Sequence, residues 1–140
     1  MWRRIWNWIT RQARVTAAEA AQDELREIRN AKLHGGFTIE SVTTSDKIGV
    51  DAIGRPAVAH TRTIGRRMVI VVQLGLSSEE VSISLYHEVL EAATASSAHP
   101  PASVQELNEA GFDEMALLFH AKLGPATIES LSQMLKELGF

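Results

Sequence analysis

An α+β fold is predicted by three observations. Met68-Val69-Ile70-Val71-Val72 is β-branched and almost wholly apolar, the signature of a buried strand. Ser77 and Ser103 each stand three residues before a glutamate, Glu80 and Glu106, and each pair precedes a stretch of helical periodicity. Strand signals and helix signals are also segregated along the chain, which favours separate layers over a βαβ alternation. The expected order is a long N-terminal helix, a small and largely antiparallel β-sheet, and a helical half that completes a single domain.

The first element spans residues 2 to 33. Trp2, Ile5, Trp6 and Ile9 recur at helical spacing, Ala17, Ala18, Ala20 and Ala21 favour helix, and Gly35-Gly36 ends it. Residues 1 to 34 are thus expected to form an amphipathic helix, and residues 35 to 140 the α+β domain. The tryptophans and Arg3, Arg4, Arg11 and Arg14 suit two surfaces for residues 1 to 12: a peripheral membrane contact, or packing on protein. Residues 37 to 43 alternate in strand fashion, and residues 45 to 56 form a loop broken by Gly49, Gly54 and Pro56. Residues 57 to 63 and 67 to 72 read as a hairpin about Ile64-Gly65-Arg66, with the second strand available to pair with an extended peptide. The Ser77 box opens a helix over 78 to 96. The Ser103 box opens another that reaches Leu123 and stops at Gly124-Pro125. A last helix over 127 to 138 places Ile128, Leu131, Leu135 and Leu138 on one stripe.

A chain of 140 residues accommodates one ordinary domain. Its net charge of -3 argues against a nucleic-acid partner, which requires a basic surface. The chain has no cysteine, so disulfides and thiolate metal sites are excluded, and any metal must be held by His, Asp, Glu or water. No apolar run approaches the ~20 residues that span a bilayer, and residues 1 to 10 lack the continuous apolar core of a secretory signal. A cytoplasmic location is the expectation.

The chemistry is concentrated in His87-Glu88-Val89-Leu90-Glu91. On a helix, His87 and Glu91 lie one turn apart on the same face and can reach one metal ion. Glu88 is rotated by ~100°, which suits a general base beside a metal and not a ligand of it. Glu109, on the following helix, is the candidate third ligand. Asp113, one turn later, is the candidate acceptor for the other ring nitrogen of His87. His99, in the loop between the helices, is a candidate extra ligand. Taken alone, Glu80, Ser84, His87, Glu88, Glu91 and Thr94 form a polar stripe opposite Val81, Leu85, Val89, Ala92 and Ala93, as on an ordinary surface helix.

The two segments resemble those of the zincin-like metallopeptidases of the gluzincin, or thermolysin, type. That family carries H-E-x-x-H on one helix and a Glu with a downstream Asp on the next, and residues 107 to 113, Leu-Asn-Glu-Ala-Gly-Phe-Asp, look like the second element. The resemblance covers residues 66 to 120. It implies a hydrolase acting on a peptide or protein substrate, with His87 and Glu109 as ligands, Glu88 as general base and Asp113 supporting His87. The chain departs from the family at Glu91, where a second histidine is expected. Glutamate also ligates zinc. One His and two Glu, however, neutralise a divalent cation more fully than two His and one Glu, which weakens it as a Lewis acid. The expected cofactor is zinc, with manganese or iron as harder alternatives. The competing reading is a zincin-like adaptor that has lost its chemistry and binds through the N-terminal Trp/Arg helix.

Overall fold

The computed structural model describes Leu25 and residues 28–49 and 57–140. Four strands, β1 (Arg29–Lys32), β2 (Thr38–Ser45), β3 (Ala59–Ile64) and β4 (Arg67–Gln73), precede three helices, α1 (Ser78–Ser96), α2 (Glu109–Leu123) and α3 (Ile128–Leu138). The strands form one sheet in the order β1-β2-β4-β3. The α+β expectation holds at this level. The sheet is mixed: β1·β2 and β3·β4 are antiparallel, but the central pair, β2·β4, is parallel.

The hairpin is the simplest element to derive. Ile64 pairs with Arg67, leaving a two-residue loop. Gly65 opens that loop at φ 59, a left-handed conformation that glycine adopts without a Cβ penalty. Of its two strands, β4 lies inside the sheet, so the expectation that it pairs with a ligand is corrected. Among the described residues, β3 is the edge strand on that side.

The N-terminal expectation also needs correction where it can be compared. Arg29–Lys32 is a strand, with Ala31 opposite Ile39 and Lys32 opposite Thr38. Asn30 sits at φ 49, outside the right-handed helical region. Pairing with β2 thus overrides helix propensity here, and a domain boundary after residue 34 would separate two hydrogen-bonded strands. Residues 1 to 24, with the tryptophans and arginines, lie outside the described residues. No helix among the described residues is long and apolar enough to cross a membrane.

Helix α1 is the centre of the fold. Ser77 Oγ accepts from Glu80 N at 3.2 Å, and Glu80 Oε1 accepts from Ser77 N at 3.4 Å, closing the predicted capping box. The helix packs on β3 and β4, on α2 and on α3. Tyr86, Val89, Leu90 and Ala93 join Ile39, Met68, Ile70 and Val72 in the core. Each fully buried aliphatic side chain stabilises by about 1.5–3 kcal/mol, so Leu90→Ala alone would cost about 2–5 kcal/mol. Every residue from 80 to 90 is buried, including Glu80, Ser84, His87 and Glu88 of the polar stripe; Glu91 and Thr94 are half-buried. The surface-helix pattern is therefore deceptive, because α2 and β3 cover the polar face.

Helix α2 starts later than its sequence suggests. Asn108 is its N-cap, with Oδ1 accepting from Gly111 N at 2.9 Å. Ser103 instead donates to Leu138 O at 2.8 Å, at the end of α3, and its hydroxyl is thereby withdrawn from capping. Ser82 of α1 meets His120 of α2, while His87 meets Glu109 and Asp113, so the two helices run antiparallel.

Candidate metal centre

The antiparallel pair brings four carboxylates around one imidazole. His87 Nε2 lies 2.8 Å from Glu91 Oε2, 3.1 Å from Glu109 Oε2 and 3.7 Å from Glu88 Oε2. On the other side of the ring, Nδ1 lies 2.8 Å from Asp113 Oδ1. The local cause is plain. The i,i+4 spacing puts His87 and Glu91 on one face of α1, and the Asn108 cap makes Glu109 the first residue of α2, with Asp113 one turn further on. Phe112 packs beside the imidazole, its ring centroid 6.0 Å away.

The donors are shielded unequally. His87, Glu88 and Asp113 are buried, whereas the side chains of Glu91 and Glu109 are 43% and 24% exposed. The cluster therefore opens to solvent along Glu91 and Glu109. Burial opposes a charge on His87. Hydrogen bonds to Asp113, Glu109 and Glu91 and the nearby Glu88 charge outweigh it, and the imidazole is pushed up to about 12. Burial pushes the Glu88 carboxyl up to about 7, opposed by the His87 charge and the Thr61 hydrogen bond and assisted by the Glu91 and Glu109 charges. A carboxyl near neutrality is suited to exchanging a proton at ordinary pH.

The chemistry of this donor set fits a divalent cation. Carboxylates gathered around a single nitrogen repel one another in a medium that screens weakly; a protonated His87 offsets one charge, and a divalent ion would offset two. Nε2 faces the three glutamates, while Nδ1 faces Asp113. That is the division of labour in which one nitrogen ligates and the other is oriented by a carboxylate. The donor atoms of His87, Glu88 and Glu91 all lie within 4.8 Å of one another. Glu109 approaches Nε2 but stands outside that compact trio. Glu88, expected to be a base only, thus lies within reach of a ligand position.

His99 is exposed and lines a different hollow, with Arg66, Pro101 and Phe140. Thr61 was not anticipated. Its hydroxyl donates to Glu88 Oε1 at 3.1 Å from the edge strand β3. A threonine in a half-exposed strand gives no local signal of such a role, because only the packing of β3 on α1 creates it. Comparison with protein-family models, with curated proteins and with solved structures finds no match for this chain.

Proposed function

We propose that His87, Glu91 and Glu109 hold a divalent metal ion, zinc or a harder ion such as manganese or iron, and that the protein is a small zincin-like metallohydrolase acting on peptide bonds. The observation that supports this most strongly is the set of three glutamates facing Nε2 of one buried imidazole whose Nδ1 meets Asp113. When bound, such an ion polarises a carbonyl and acidifies water. Glu88 takes the proton of the attacking water and returns it to the leaving amine. Asp113 keeps the His87 ring in the tautomer with a bare Nε2. Among the described residues β3 is an edge strand that would offer backbone groups to an extended peptide, and its Arg62 and Thr63 are exposed.

The test is cleavage of dye-labelled casein by metal-loaded protein, with Glu88→Gln as the paired variant. Cleavage by the wild type and at least a hundredfold loss in Glu88→Gln, at equal metal content, is the expected result, on the scale of general acid–base catalysis, about 10²–10⁴. Equal cleavage by both proteins would remove Glu88 as the base. A metal-loaded wild type that cleaves neither casein nor a random peptide library would remove the peptidase reading and leave the metal site standing.

A further inference from the structure

Glu88 occupies an ambiguous position. Its donor atom belongs to the compact trio with His87 and Glu91, so distance alone would admit it as a metal ligand. A carboxylate bound to the ion is a poor base, because the ion draws on the lone pair that must accept the proton. Something must therefore hold Glu88 back if it is to act on water.

The two oxygens of Glu88 have different surroundings. Oε1 accepts from Thr61 Oγ1 at 3.1 Å, while Oε2 is the oxygen turned toward His87 Nε2, at 3.7 Å. That second distance is longer than those of Glu91 and Glu109, at 2.8 and 3.1 Å. Thr61 pairs with Ile70, a core residue of β4, so its side chain is on the sheet face that meets α1. One oxygen of Glu88 is thus engaged by the strand, while the other faces the donors at the longer distance.

We infer that Thr61 is a positioning residue that keeps Glu88 out of the metal coordination sphere and so preserves it as a base. The inference rests on the proposed metal site. Losing the hydroxyl frees Glu88 to join His87, Glu91 and Glu109 as a further ligand. A merely structural threonine would act in the opposite direction, since loosening the surroundings of a site typically weakens metal affinity by about 10–100-fold.

Cobalt(II) is the probe, because its visible absorption reports coordination number independently of any substrate. Thr61→Val keeps the shape and β propensity of the side chain and removes the donor, and Thr61→Ser restores a hydroxyl. The expected result for Thr61→Val is a weaker, shifted visible band, as for an ion gaining a ligand, with cobalt affinity tightened by about tenfold. Thr61→Ser should match the wild type. In a Glu88→Ala background, Thr61→Val should change neither band nor affinity, because the effect runs through Glu88. If Thr61→Val does not fold, Thr61→Ala is read against the same Ser and Glu88→Ala controls. An unchanged band, weakened affinity, or a shift that persists without Glu88 would overturn the inference while leaving the metal site intact. A wild type that binds no cobalt overturns both.

Discussion

Two imidazoles tie α1 to α2, and their surroundings differ in kind. His120 Nδ1 lies 2.8 Å from Ser82 Oγ, which also accepts from Ala126 N at 2.8 Å. Glu79 lies 4.0 Å from the other ring nitrogen and is largely exposed. Nearby, Tyr86 donates to Gly124 O at 2.8 Å. Folding accounts for this cluster, since its bonds satisfy the buried Ser82 and Tyr86 hydroxyls and half-buried groups of His120, Gly124 and Ala126. Five residues along α1, His87 is ringed by Glu88, Glu91, Glu109 and Asp113. Docking two helices does not require that arrangement, and apolar residues of similar volume would serve stability as well or better. The contrast separates a polar cluster that the fold explains from one that the proposed metal site would explain.

Removing the central ligand should produce the largest effect. A divalent ion at 100 times its Kd would stabilise the wild type by about 2.7 kcal/mol, on the order of 10 °C in Tm for a domain of this size. His87→Ala should lose that entire gain in a thermal melt with and without zinc. If the gain survives, the ion sits elsewhere. Asp113→Ala should be intermediate, weakening metal affinity by about 10–100-fold in a competition titration with a chelating dye. Unaltered affinity would make Asp113 a packing residue only.

The His120 cluster should behave in the opposite way. Ser82→Ala strands the Ala126 N–H and the His120 ring, at a cost of about 1–3 kcal/mol in urea denaturation, with metal affinity unchanged. A change in metal affinity would mean that the two clusters are coupled. Glu79→Ala should have the smallest effect, within about 0.5 kcal/mol, because an exposed pair at that distance contributes little. A larger loss would turn the His120 cluster into an ion-pair site and blur the contrast.

Much of the candidate site was legible because its spacing is local. His87, Glu88 and Glu91 lie within five residues, and the Ser77 box placed α1 at 78–96, the bounds observed. Glu109 and Asp113 were legible as a second helical pair. The start of their helix was misread, because Ser103-x-x-Glu106 mimics a capping box although the serine serves the end of α3. β1 was hidden for a related reason. Its residues follow a helix-favouring stretch, and only the ladder to β2 makes them a strand. The burial of Glu80, Ser84, His87 and Glu88 and the reach of Thr61 to Glu88 depend on how layers pack, and no periodicity within one element carries that information.

The central claim is that the carboxylate ring around His87 exists to hold a cation. Elemental analysis of protein incubated with micromolar zinc, manganese or iron and then dialysed tests it most directly. A metal-holding site predicts close to one equivalent in the wild type and none in His87→Ala. A wild type that emerges without metal, or a His87→Ala variant that retains a full equivalent, would contradict it.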